Sequence, residues 1–158
     1  MRKLKKPNYN KLFADLDDNV AKLQKICDFL RNNIKHYDWV GFYMVRPGKN
    51  ELELGPFSGE ATDHKVIPFG KGVCGQSATR EEMIVVPDVT ELDNYLACSL
   101  YVKAEIVVPV FKQGKYIAQL DIDSHQLDPF TKEDENYLKD IISQLTYLFP
   151  IRDYKSEI

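Results

Sequence analysis

The chain has 158 residues, with 24 acidic and 21 basic side chains giving a formal charge of −3, and only three cysteines. That length suits a single domain, residues 1–158, able to bury roughly 70% of the surface its unfolded chain exposes. The absence of a Lys/Arg stripe argues against nucleic-acid and anionic-membrane partners, the absence of a long apolar run or leader points to the cytoplasm, and three cysteines without paired spacing form neither a secreted disulfide framework nor a metal-ligand motif.

In chain order, Leu12, Leu16, Val20, Leu23, Cys27, Leu30 and Ile34 recur every three or four residues, which predicts one amphipathic helix from about residue 9 to 35. Cys27 lies on its apolar stripe, where a thiol is an inert core group. The period then changes to two. The stretches 38–45, 51–54, 83–86, 104–111 and 116–123 read as strands. Strands following one another between terminal helices predict an α+β fold around an antiparallel sheet. On the first strand Trp39, Gly41 and Tyr43 share a face, with the glycine leaving a notch between two rings. Core packing and an apolar pocket wall both fit that arrangement.

The stretch "VIPFGKGVCGQS" (66–77) gathers three glycines around Cys74. It lacks the Lys-Ser or Lys-Thr of a phosphate loop, and no acidic ribose ligand follows its G-x-G-x-x-G spacing. The segment after Cys74 suits a short helix, whose N-terminus favours a thiolate. Cys98 lies in "LDNYLACSLYV", a stretch without periodicity that ends just before the strand beginning near Glu105.

The most informative arithmetic concerns the last two strands. Alternation puts Gln119, Asp121 and Asp123 on one face of 116–123. Glu105 joins them if the hairpin loop is odd, and "KQGK" suits a three-residue loop closed by Gly114 in the left-handed region. Three converging carboxyls cannot all ionise cheaply, so at least one should titrate high and serve as a general acid. A solvated acidic patch is the plain alternative. After the last strand, Thr131 with Glu133, Asp134 and Glu135 forms a helix start, and Leu138, Ile141, Ile142, Leu145, Leu148 and Phe149 form its apolar face.

The motifs "DWVGFYMV", "IPFGKGVCGQ", "VVPDV", "LACS", "EIVVPVFKQGKYIAQLDIDSH" and "PFTKEDENYL", in this order, resemble the free methionine-R-sulfoxide reductases of the GAF superfamily. The resemblance covers roughly residues 36 to 145 and implies a central antiparallel sheet with N- and C-terminal helices packed on one face and a loop-covered pocket on the other. It implies a homodimer through the terminal helices. Position by position, it makes Cys98 the catalytic cysteine and Cys74 a second redox thiol. Trp39 and Tyr43 become the aromatic wall for the substrate's methylsulfinyl end. Glu105, Asp121 and Asp123 become the acids that hold its amino group and polarise its oxygen. It implies no bound cofactor or metal, and a thioredoxin-type dithiol as electron donor. The chain departs from the pattern at His64, where many members carry the resolving cysteine, and at Ser99, where aspartate is usual. The other reading is a non-catalytic GAF module that senses a small molecule or redox state.

Overall fold

The computed structural model describes residues 4–92 and 101–151. Two helical pieces open it: α1 (Tyr9–Leu12) and α2 (Asn19–Asn33). The single helix expected over 9–35 is therefore broken. Asp15 takes a left-handed φ of 66°, and Asp18 starts a new helix by accepting from the Ala21 amide at 3.2 Å. Aspartate tolerates both roles, because its short side chain bonds nearby backbone. The break also turns Val20 outward, 58% exposed, although it sits on the apolar repeat. Leu23, Ile26, Cys27 and Leu30 remain fully buried.

Six strands follow in one antiparallel sheet: β1 (Trp39–Val45), β2 (Glu51–Ser58), β3 (Val66–Pro68), β4 (Ile84–Val86), β5 (Ala104–Lys112) and β6 (Lys115–Ser124), with spatial order β3-β2-β1-β6-β5-β4. Helix α3 (Gly72–Arg80) crosses between β3 and β4, and α4 (Lys132–Leu145) closes the domain. The α+β architecture matches expectation. Among the described residues no helix is long and apolar enough to cross a membrane.

Alternation splits the sheet's two faces into two cores. Val40, Phe42, Ile106, Val108, Leu120 and Ile122 pack against α2 and α4. The opposite face carries Trp39, Tyr43, Val107 and Tyr116 and packs against α3 with Val73, Cys74 and Ala78. The terminal helices thus share one face, and the other is left for the glycine loop and α3.

α4 starts with a capping box: Thr131 accepts from the Asp134 amide, while Asp134 accepts from the Thr131 amide. The second Asp134 oxygen accepts from Tyr37 Oη at 2.7 Å and lies 2.7 Å from His36 Nε2. His36, Tyr37 and Asp134 are buried, so a polar knot locks the start of α4 onto the turn between α2 and β1. α4 ends at Leu145; Leu148 and Phe149 remain buried in the segment beyond it.

Candidate active site

β5 and β6 meet in a tight turn of only two residues, Gln113 and Gly114, both with positive φ, flanked by the pair Lys112↔Lys115. The three-residue loop expected from "KQGK" is replaced by the primed type of turn that suits strand twist. An even loop alone would have sent Glu105 to the helix face. The register shifts by one residue between Val110 and Phe111, whose partners are Ala118 and Tyr116. Ile117 is the extra residue, and it joins Ala118 in the helix-side core. This β-bulge restores the parity. Glu105 pairs directly with Asp123, and Val107 with Asp121. The three acids share the α3 face, as the alternation predicts, by a different local route.

Cys74 occupies the third position of α3. A close backbone approach puts it there: a Cβ on Gly75 would lie 2.6 Å from the Pro68 carbonyl oxygen and 3.0 Å from the Gly70 nitrogen. The Gly70 amide donates to the Gly75 carbonyl at 2.8 Å. The glycines of this stretch therefore shape a tight turn that presses a helix onto the sheet. The Cys74 thiol donates to Glu105 Oε2 at 3.7 Å. Asp121 offers a carboxylate oxygen within 4.8 Å of both the Cys74 sulfur and the Glu105 carboxylate.

Burial dominates the electrostatics of this trio. Glu105 is pushed well above the usual carboxylate range, first by desolvation and then by the charges of Asp121 and Asp123. Asp121 is raised by desolvation, against hydrogen bonds from Glu105 and Cys74 that pull it down. The Cys74 thiol is driven up by burial, then by Asp121, Glu105 and Asp123. The thiolate expected from the helix N-terminus is therefore reversed: desolvation and three acids outweigh the partial charge of one helix end. Site acids of raised pKa are present, as the convergence of carboxyls predicts.

Cys74, Glu105 and Asp121 line a small cavity of about 10 Å³ together with Tyr43, His64, Ile67, Lys71, Gly72 and Val73. Trp39 and Asp123 lie on the same sheet face but outside that lining. The Trp39 ring fills the notch over Gly41, where a Cβ would lie 2.4 Å from its ring carbon. It stacks on Phe57 at 5.5 Å and on Tyr43 at 6.4 Å between centroids. Both aromatics tether the loop after β2. Trp39 Nε1 donates to the Glu60 carbonyl at 2.9 Å, and Tyr43 Oη donates to the His64 carbonyl at 2.8 Å. Cys98 and Ser99 lie outside the described residues. Cys27 is buried in the helix-side core, its thiol donating to the Pro56 carbonyl at 3.5 Å.

A supporting network was not foreseen in the sequence. Gln119 Nε2 donates to the Cys74 carbonyl at 3.0 Å and to Tyr116 Oη at 2.6 Å. Tyr116 Oη lies 3.0 Å from Ser77 Oγ, which donates to the Glu82 carbonyl at 2.7 Å. The chain of donors runs from the sheet into α3 and fixes the turn that carries Cys74. Alternation does place Gln119 on the acid face, which was the one available signal.

An antiparallel sheet with terminal helices on one face and a small acid-and-thiol site on the other, beneath a glycine turn, defines a GAF-type domain. The GAF domain family matches residues 18–147. GAF domain-containing protein A of Dictyostelium discoideum is 38% identical over 139 residues, 88% of this chain and 86% of that protein. The free methionine-R-sulfoxide reductase of Escherichia coli (strain K12) is 34% identical over 148 residues, 94% of this chain and 88% of that protein. The X-ray structure of free methionine-R-sulfoxide reductase from Neisseria meningitidis in complex with its substrate aligns with a TM-score of 0.81 and 38% identity, covering 89% of this chain and 83% of that one. The chain belongs to the GAF family, in its branch of free methionine-R-sulfoxide reductases.

Proposed function

We propose that the protein reduces free L-methionine-(R)-sulfoxide to methionine by a thiol, sulfenic acid and disulfide cycle. Cys98 attacks the sulfoxide sulfur as a thiolate. Oxygen passes to the cysteine, methionine leaves, and Cys98 becomes a sulfenic acid. Cys74 condenses with that sulfenic acid, releasing water and forming a disulfide. A thioredoxin-type dithiol then reduces the disulfide and is itself oxidised.

One observation carries the reading: Glu105 and Asp121 are buried and titrate high beside a thiol. A sulfoxide is a poor electrophile until its oxygen is protonated or strongly hydrogen-bonded, and a carboxyl of raised pKa can supply that proton. Asp123, directly opposite Glu105 in the sheet, adds negative charge for the substrate's ammonium group. The same burial that raises these acids also raises Cys74, so in this reading Cys74 must lose its proton before it attacks the sulfenic acid. Tyr43 and Trp39 supply the apolar wall.

The active unit in this reading is a homodimer through the terminal-helix face, where Val20 and Tyr147 are 58% and 62% exposed; sedimentation at micromolar concentration tests it. The deciding experiment is a thioredoxin-coupled assay of NADPH consumption with separate R and S epimers of free methionine sulfoxide. Steady turnover of the R epimer alone is expected. Binding without turnover would overturn the reading in favour of a sensor.

A further inference from the structure

Cys74, Glu105 and Asp121 come from α3, β5 and β6, and each offers a ligand atom within 4.8 Å of the other two. We propose that this trio binds a thiophilic divalent cation of the Zn²⁺ class, held in the reduced protein by one thiolate and two carboxylates. No spacing in the sequence signals such a site, because each ligand arrives on a different element. The geometry suits a tetrahedral ion. With Zn–S about 2.3 Å and Zn–O about 2.1 Å, sulfur and oxygen ligands lie about 3.6 Å apart. Cys74 Sγ and Glu105 Oε2 are separated by 3.7 Å.

A second observation points to a ligand independently of that clustering. Asp121 is 1% exposed, and its Oδ1 has no hydrogen-bond partner among the described residues. Buried carboxylate oxygens are ordinarily satisfied, and an exception asks for a proton, a water or an ion. Asp121 lines the same cavity as Cys74 and Glu105, and its volume of about 10 Å³ is on the scale of one such guest. Lys71 lines the cavity too but is itself exposed, so its ammonium keeps solvent.

The ion replaces protons on the three ligands, so binding strengthens as pH rises and releases protons to solution. The site stands on the trio's geometry and does not rest on the reductase reading. If that reading holds, an ion there ties up the thiol needed for recycling and both acids needed for the sulfoxide, giving a metal-inhibited state.

The test uses reduced, full-length protein stripped of metal with EDTA. It is titrated with Cd²⁺, following the ultraviolet thiolate-to-cadmium charge-transfer band, and with Zn²⁺ by calorimetry. One equivalent is expected, with proton release. Cys74→Ser should abolish the band and weaken Zn²⁺ by about 100-fold or more, since even outer-shell changes commonly cost 10–100-fold. Asp121→Asn keeps the carboxyl's shape and should weaken Zn²⁺ comparably while retaining the band at saturation; Cys98→Ser should bind like the parent. A band that survives Cys74→Ser or disappears only in Cys98→Ser overturns the site, as does parental affinity in Asp121→Asn. R-sulfoxide turnover is measured on the same metal-free protein. Intact turnover without Zn²⁺ binding counts against the site alone, and Zn²⁺ binding without turnover counts against the reductase reading alone.

Discussion

In the proposed reaction Glu105 and Asp121 serve as buried acids of raised pKa, and this sets activity against stability. The folded protein raises both carboxyls above their ordinary values. Between the ordinary and the raised value, the folded state holds more protons than the unfolded one. Stability therefore falls as pH rises through that window. Glu105→Gln and Asp121→Asn should each lower kcat/KM by about 10²-fold, the usual size of a lost general acid. Each should also raise the melting temperature at pH 8, with the gain disappearing below about pH 4, where unfolded carboxyls are protonated too. Calorimetry at both pH values checks the sign; an equal gain at pH 4 would show that charge is not the cause. In the proposed cycle the thiols divide by role. Cys98→Ser should abolish methionine formation, and Cys74→Ser should yield about one methionine per chain and then stop, as separated chemical and resolving steps require. Quenched-flow measurement of methionine distinguishes the two.

At the scale of elements, the two tethers to the loop after β2 and the network under α3 decide which thiols can meet. Tyr43 holds the backbone of residue 64 beside the cavity that contains Cys74. The family resemblance implies a resolving cysteine at this position, so in the proposed cycle His64→Cys should speed steady-state turnover and leave the first turnover nearly unchanged. Stopped-flow traces that show an accelerated first turnover would contradict this. Tyr116→Phe breaks the link between Gln119 and Ser77 and should cost about 1–2 kcal/mol, the usual range for a buried hydrogen bond. It should slow recycling more than the first turnover, because the displaced group is the Cys74 turn; urea denaturation and the two rates test both parts. The sequence made the long strands legible, because alternation is a local signal. Three residues of β3 were too short to show, and pairing with β2 alone defines them. The helix break at Asp15 was hidden because apolar spacing continued across it. Parity found the acids, but the Ser77–Tyr116–Gln119 network joins distant positions, and the upward shift of Cys74 depends on tertiary burial. Neither leaves a pattern in the chain.

For the whole molecule, the knot of His36, Tyr37 and Asp134 joins the first layer of structure to the last helix. Asp134 is held down to about 2, by hydrogen bonds from His36, the Thr131 amide and Tyr37 working against desolvation. A depressed carboxyl contributes stability above its unfolded value and loses it as pH falls toward the folded one. The window here runs from near 4 down to about 2, and the contribution is about 2 kcal/mol. Asp134→Asn should lower the urea midpoint at pH 7 and flatten its dependence between pH 4 and 2. Activity should follow only through the folded fraction, because the knot lies on the helix side of the sheet. Retention of the parental pH dependence in Asp134→Asn would assign it to other groups.

The even turn at Gln113–Gly114 and the one-residue bulge at Ile117 have a consequence for how such a domain can vary in descent. Between Glu105 and Asp121 the chain obeys an odd–even rule. One residue gained or lost within a strand, with the two-residue turn and the bulge kept, would exchange the acid face with the apolar face, sending carboxyls into the helix-side core and valines toward α3. Length changes here can persist only in compensated pairs, or where a bulge appears or vanishes in the same lineage. Two homologues with hairpins of unequal length should therefore differ by an even number of residues, or by one residue together with one bulge. Deleting Ile117 alone removes a residue and its bulge together, so Glu105↔Asp123 and Val107↔Asp121 should pair as before and the acid face should survive.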